Sequence, residues 1–477
     1  MKTVQVDVAV IGAGSAGLTA FRAARAHGAR VLLIERGPYG TTCARVGCMP
    51  SKLLIAAAEA AHVVAQAPGF GVHPGPVRID GVEVMARVRA ERDRFVGFVL
   101  EGVDQIDPSE RLVGSARFIA PHRLQIDDHT IVDAARIVIA TGSSPVIPPE
   151  LRALGDRVVT NDTLFDWTDL PESVVVLGAG VIGLELGQAL HRLGVRVTLF
   201  GRGDKVGPLS DPAVTQSALE CLGAEFDLRL GTTLFDAQRV GDQVRVRSKG
   251  KDGVERVENF SLILSAVGRK PNLSDLTLEH SGLALDAKGI ALFDRTTMQC
   301  GSSAVFIAGD VDDERPLLHE AVDQGRIAGD NAGRYPNVTA GLRRAALGVI
   351  FCDPQIALAG SSFRALAAGS FATGKVSFAN QGRARVMRQN CGVLHVYGEH
   401  GSGRFLGAEM VGPRAEHLAH LLAWACQNKM TVRQMLDMPF YHPVIEEGLR
   451  TALRDLEEQL AHGPAANDHC ADCTPGM

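Results

Sequence analysis

Two cysteines near the amino terminus, Cys43 and Cys48, stand in the stretch Gly40-Thr-Thr-Cys-Ala-Arg-Val-Gly-Cys-Met-Pro-Ser-Lys52 with four residues between them. Pro50 suits the first turn of a helix and Leu53 to Ala67 is rich in helix formers, so Cys48 is expected at or near a helix N-terminus. There the positive ends of the backbone dipoles favour a thiolate, the reactive form of the side chain. A zinc site does not fit, because no second Cys/His pair lies nearby at ligand spacing. A purely structural disulfide is unattractive too, since closing so short a loop contributes only about 2 kcal/mol and a reducing cytosol opposes it.

The elements that must position these residues are legible in the flanking sequence. Val6 to Ile11 is a short apolar run that ends in Gly12-Ala-Gly-Ser-Ala-Gly17 and continues as a helical stretch, Leu18 to Ala26. The chain resumes after Gly28 as Arg30-Val-Leu-Leu-Ile-Glu35, which completes a βαβ unit and implies a parallel sheet. Residues 174 to 201 repeat that order: Val174 to Leu177, Gly178-Ala-Gly-Val-Ile-Gly183, Leu184 to Leu193, then Val195 to Phe200. Two nucleotide-binding units in one chain follow from this repetition.

A lone glycine turn of this type is weak evidence, but Gly12, Gly14 and Gly17 follow a strand and open a helix, where backbone N–H groups can receive a pyrophosphate. Glu35, 23 residues past Gly12, stands where ribose hydroxyls would be recognised. In the second unit, with Gly178, Gly180 and Gly183, the same offset falls on Gly201, and Arg202 follows. A missing carboxylate and an available cation lean towards NADP(H), since a 2'-phosphate wants positive charge.

Between the units, Ser143-Ser-Pro-Val-Ile-Pro-Pro149 suits a domain crossing, after the apolar strand Arg136 to Gly142. A similar strand, Leu262 to Gly268, precedes Arg269-Lys-Pro-Asn272, where the second unit is expected to end. A third, Val305 to Asp310, leads towards a helix over Glu320 to Ala332. After Tyr335-Pro336, Gly360, Gly382, Gly392, Gly398 and Gly407 separate short strand-like runs, which predicts a third domain on an antiparallel sheet. The expected fold is α/β: two Rossmann-like nucleotide-binding domains plus a C-terminal α+β dimerisation domain. The expected boundaries are 1–150 with 271–340, 151–270, and 341–460, with a tail at 461–477.

Length and composition agree with this plan. A chain of 477 residues with 46% hydrophobic content, 52 Gly and 22 Pro has material for roughly three globular domains. Net charge of −5 and the absence of a dense Lys/Arg cluster argue against nucleic acid as a partner. No apolar run is expected to reach the roughly 18 residues that cross a bilayer, and no secretory signal is seen, so a cytoplasmic protein without membrane partners is expected. Nine cysteines, an odd number, argue against a secreted disulfide framework. Of these, Cys221, Cys300, Cys352, Cys391 and Cys426 are expected to serve packing only.

The glycine turn, its acid and the Cys-x4-Cys-x-Pro-Ser-Lys run together resemble the pyridine nucleotide-disulfide oxidoreductases, the family of dihydrolipoamide dehydrogenase, glutathione reductase and mercuric reductase. The resemblance covers nearly the whole chain. It implies FAD and NAD or NADP as cofactors, with electrons moving between a dithiol, a Cys43–Cys48 disulfide, FAD and the nucleotide. By it, Cys43 is the interchange thiol, Cys48 is the thiolate against the flavin, and Lys52 pairs with Glu185. Ala140-Thr141-Gly142 and Gly309-Asp310 match FAD-contacting segments, with Asp310 on the ribityl chain, and His319 lies in a stretch whose backbone reaches the flavin. Gly268, at the end of the strand from Leu262, is expected to belong to the second nucleotide site.

A thiol centre also needs a group that manages protons near neutral pH, and histidine suits that range. His442-Pro443-Val-Ile-Glu-Glu447 resembles the family's dyad, in which His442 is the acid/base for the other subunit and Glu447, rather than Glu446, orients it. A homodimer acting on a small dithiol, disulfide or lipoyl group is implied. The dyad favours an organic dithiol and a dihydrolipoamide dehydrogenase-like member. Alternatives are an NADPH-dependent disulfide or mercuric-ion reductase that uses Cys470 and Cys473 of the tail, and a flavin transhydrogenase, oxidase or non-catalytic flavin subunit.

Overall fold

The computed structural model describes residues 1–463, so Cys470 and Cys473 lie outside the described residues. The first unit is built on a seven-stranded sheet whose centre is the long strand Lys2–Ile11, parallel to Val31–Glu35 on one side and Thr130–Ile139 on the other. Val8, Val10, Leu33 and Val138 from these strands are fully or almost fully buried, as a sheet covered on both faces requires. Val305–Ile307 adds itself in parallel to Thr130–Ile139, so the chain returns to the first sheet after completing the second.

That return is secured by helix packing at very short range. Helix Leu318–Arg334 lies on Ser15–Ala26, and its Gly325, Gly329 and Gly333, spaced four apart, face Ala16, Ala20 and Ala24. A Cβ at Gly325 or Gly329 would come within 2.3 Å of a backbone oxygen of the facing helix. Only a seam without side-chain bulk lets the two backbones approach this closely.

The second unit is an all-parallel five-stranded sheet in the order Asp227–Leu230, Arg196–Gly201, Ser173–Leu177, Leu262–Ser265, Val158–Val159. An antiparallel three-stranded meander, Thr233–Val240, Gln243–Lys249 and Glu255–Phe260, is inserted before its last crossing. The two crossings between units, Ser143–Pro145 and Arg269–Pro271, pair with each other as a two-stranded ribbon.

The third unit is an antiparallel sheet, Leu347–Ile350, Gln355–Gly360, Phe405–Gly412, Val393–Glu399, Phe371–Ser377, covered by helix Glu446–Ala461. Two of the glycines read as separators are not breaks. Gly398 and Gly407 lie inside strands, and a Cβ at Gly407 would meet the Ser361 carbonyl at 2.3 Å. Gly407 marks a close backbone approach, and Gly398 makes room for the Leu456 and Leu460 side chains of the covering helix, so neither is a strand end.

Two further expectations are corrected. Cys221 and Cys391 do not serve packing alone: they form a disulfide with Cα atoms 6.2 Å apart, joining the second unit to the third. Cysteines 170 residues apart give no pairing signal in sequence. The segment Thr42–Phe70, with mean hydropathy 1.3, does reach bilayer-spanning length and composition. Its apolar residues are interrupted by Glu59, His62 and Gln66. Its long helix, Cys48–Gln66, packs on Gly81–Asp104 and Val181–Arg192.

Gly329→Ala should lower the unfolding free energy in urea by about 1–3 kcal/mol, the usual cost of overpacking. Gly14→Ala, whose Cβ would meet no protein atom, should cost less than about 1 kcal/mol. Equal stability of the two variants would contradict the close-seam account.

Candidate active site

The two glycine turns are built alike. Gly12 has φ +103° and Gly178 φ +110°, the left-handed region that favours glycine. A Cβ at Gly12 would strike the Ala140 carbonyl at 2.3 Å, and one at Gly178 the Ala266 carbonyl at 2.4 Å. Gly17 and Gly183 press on the carbonyls of Gly12 and Gly178, so neither tolerates a Cβ. Gly14 and Gly180, the residues that cap the helices, face open space where a pyrophosphate can approach the first N–H groups.

A cleft lined by Gly12, Glu35, Thr42, Gly142 and Asn272 runs from the first turn to the segment that bears Cys43. Glu35 accepts hydrogen bonds from the backbone N–H of Ala13 at 2.7 Å and of Gly37 at 2.9 Å. A carboxylate has lone pairs for about two more donors, so ribose hydroxyls remain compatible with this geometry. The Thr141 hydroxyl donates to the Asn272 carbonyl at 2.8 Å, and the Asn272 side-chain amide donates back to the Thr141 carbonyl at 2.9 Å. Asp310 accepts from the Ser143 hydroxyl at 2.9 Å, and Ser143 in turn accepts from Arg269 Nε at 2.8 Å. A cradle with open glycines at its turn and a polar floor fits an FAD. Gly178, Gly180 and Gly183, with Gly268 at φ +125°, fit a second nucleotide in the same way. Arg202, past the end of Arg196–Gly201, is exposed and has no ion-pair partner among the described residues.

Cys48 is the first residue of helix Cys48–Gln66, and Cys43 lies in the short helix Thr42–Val46 just before it. The two stand as thiols and interact, and their acidities are driven apart. A hydrogen bond from the Cys43 thiol is the chief cause that brings the Cys48 thiol down to about 7, with the Lys52 ammonium helping and burial and Glu185 opposing. The same hydrogen bond, joined by burial, pushes the Cys43 thiol well above its usual range. Proton on Cys43, charge on Cys48 is the arrangement that results.

Beneath them, Lys52 Nζ lies 2.7 Å from Glu185 Oε2, and the Ser51 hydroxyl donates to the same oxygen at 2.9 Å. Glu185 is only 4% exposed. Its other oxygen accepts the backbone N–H of Phe351 at 3.0 Å, and the Phe351 ring carries the Lys52 ammonium 4.6 Å from its centroid. Sequence reasoning missed Phe351, Asn272 and Ser143: each acts across more than 120 residues of chain, through backbone groups or through contacts that no local pattern encodes.

His442 Nδ1 is 3.0 Å from Glu447 Oε2, and Arg450 lies 3.3 Å from Oε1. The histidine holds the Glu447 carboxyl below its usual range. Within one chain the dyad makes no hydrogen bond to the Cys43–Cys48 centre, and the His442 side chain is 80% exposed. His319, at the start of helix Leu318–Arg334, is exposed. Cys300 and Cys352 are buried, and burial raises the Cys300 thiol to about 12. No cluster of metal-ligating side chains occurs among the described residues.

Comparison with known proteins places this geometry. Residues 6–325 match the family described as pyridine nucleotide-disulphide oxidoreductase, and residues 347–453 match its dimerisation domain, which indicates a homodimer. The chain is 31% identical over 466 residues to a mercuric reductase of Acidithiobacillus ferrooxidans, covering 96% of this chain and 83% of that protein. It is also 31% identical over 472 residues to a dihydrolipoyl dehydrogenase of Thermus scotoductus, covering 97% and 99%. Among solved structures it is similar to LpdA from Mycobacterium tuberculosis, with TM-score 0.80, 26% identity and coverage of 95% and 99%. A Cu(II) complex of the HOCl-induced flavoprotein disulfide reductase RclA from Escherichia coli, at 23% identity, TM-score 0.80 and coverage of 94% and 99%, shares the fold. With both nucleotide cradles, the cysteine pair and the family match now in hand, the chain belongs to the pyridine nucleotide-disulphide oxidoreductases, enzymes that bind FAD and NAD(P).

Proposed function

We propose that this enzyme exchanges electrons with a small organic dithiol or disulfide, a dihydrolipoyl group being the foremost candidate. The observation that carries the reading is the opposed acidity of Cys43 and Cys48 at the helix N-terminus. A pair so divided has one sulfur that keeps its proton until a base removes it and one that holds charge at neutral pH. Cys43 is then the sulfur that exchanges with substrate, and Cys48 the one that holds charge against the isoalloxazine. Bound FAD supplies two-electron transfer between that thiolate and a nicotinamide.

The remaining residues manage position and protons. Glu185 and Lys52 form a positioning pair that keeps a fixed positive charge near Cys48. The partner subunit's His442 takes the proton from an attacking dithiol, and Glu447 holds its Nδ1, leaving Nε2 to face the sulfur. Oxidising a dithiol releases two protons, so an exposed histidine held by a carboxylate and free to take a proton favours an organic thiol over a bare metal ion. Identity to mercuric reductases equal to that with dihydrolipoyl dehydrogenases keeps a metal-ion reductase as the second reading. Arg202, without a carboxylate at Gly201, supports NADP(H) as the nucleotide.

In the reduced enzyme, alkylation of Cys48 by iodoacetamide should accelerate as pH rises, with a midpoint at about 7. Lys52→Met should move that midpoint upward; an unmoved midpoint would remove Lys52 from the account. His442→Gln should lower kcat with dihydrolipoamide about 10²–10⁴-fold, and lower nucleotide-driven dye reduction far less. A substrate comparison decides between the readings: turnover of Hg(II) with none of lipoamide would refute the organic-thiol proposal. Cys48→Ser should abolish the long-wavelength thiolate-to-flavin absorbance of the two-electron-reduced protein, and its persistence would reverse the cysteine roles.

A further inference from the structure

Helix Pro212–Gly223 of the second unit is held at its start to strand Val393–Glu399 of the third, and near its end to Cys391, two residues before that strand. At its start, Asp211 caps the helix by accepting from the N–H groups of Ala213 and Val214. The other oxygen of the same carboxylate lies 2.7 Å from His395 Nδ1 and accepts from the Tyr397 hydroxyl at 3.1 Å. Buried Glu409 of the neighbouring strand accepts the backbone N–H groups of Ser210 at 2.7 Å and Asp211 at 2.9 Å. Near its end, Cys221 is joined covalently to Cys391.

The two attachments match in span. Ten residues from Asp211 to Cys221 rise about 15 Å along the helix, and the four-residue step from Cys391 through Gly392 into the strand at His395 can span up to about 13 Å. The helix therefore runs antiparallel along the strand, bound by a polar cap at one end and a disulfide at the other. The polar cap is buried, whereas Cys391 is exposed and Cys221 half-buried. One fastening is shielded from reagents, and the other is open to them.

We infer that Cys221 and Cys391 form a second, thiol-exchangeable disulfide that locks the nucleotide-binding unit onto the antiparallel sheet, and that a small-molecule dithiol opens it. A thiolate of the dithiol attacks Sγ of Cys391, the S–S bond breaks, and Cys221 leaves as a thiolate that takes up a proton. The dithiol's second thiol then attacks the mixed disulfide, closing its own disulfide and releasing Cys391. Two electrons and two protons pass from the dithiol to the cystine, and a disulfide compound reverses the exchange. Opening removes a crosslink between residues 170 apart in sequence while the Asp211 cap remains. The helix that follows the Arg202 segment then frays from its Cys221 end.

The test uses the complete flavoprotein with dithiothreitol as the dithiol. Peptide mapping of alkylated, non-reduced protein should show the Cys221–Cys391 linkage, and its loss after dithiothreitol. Reduction should speed amide exchange in residues 212–223 and lower Tm by roughly 5–10 °C. The C221S/C391S double variant should show the faster exchange without reductant and no further change with it, which separates this lock from Cys43 and Cys48. Should both cysteines alkylate without reduction, should reduced wild type keep its exchange rates and Tm, or should the double variant respond to dithiothreitol as wild type does, the lock is refuted.

Discussion

A single buried carboxylate ties the enzyme together. Glu185 belongs to the second unit, receives Ser51 and Lys52 from the first, and receives the backbone of Phe351 from the entry to the third. A carboxyl group this deeply buried needs partners on both oxygens, because a buried polar group left unpaired is costly. The three units must therefore dock in one relative arrangement for Glu185 to be satisfied. That same arrangement holds the Lys52 ammonium close enough to the cysteine pair to favour charge on Cys48. Domain assembly and thiol chemistry share one ion pair.

Around this point the chain uses one device twice. Gly12 and Gly178 turn under the carbonyls of Ala140 and Ala266, and Gly17 and Gly183 let each helix press on its own turn. The duplicated geometry opens two helix N-termini to two pyrophosphates. Past the strand that follows each turn the units differ in charge, with a carboxylate at Glu35 bonded back to its turn and an exposed cation at Arg202.

The third unit serves the others more than it serves itself. It supplies Phe351 to the Lys52–Glu185 pair, receives the Asp211 cap through His395 and Tyr397, and presents His442 and Glu447 on an exposed edge. The His442 side chain is open to solvent within one chain, and the match to a dimerisation domain indicates that a second copy stands beside the first.

The amino-acid sequence by itself determined the local devices. Strand, glycine turn and helix were legible in Val6–Ala26 and again in Val174–Leu193, because left-handed turns and close backbone contacts demand glycine at set intervals. The position of Cys48 at a helix start followed from Pro50 and the helix formers after it. The Lys52–Glu185 and His442–Glu447 pairs were named from resemblance to a family, and the structure brings each pair within hydrogen-bond distance. Tertiary structure alone decided what joins distant parts of the chain: the Phe351 cover, the Asn272 and Ser143 floor, the inserted meander and the Cys221–Cys391 link. Local conformation depends on neighbours a few bonds away and leaves a periodic trace, whereas contacts across 100 or more residues depend on how finished units meet.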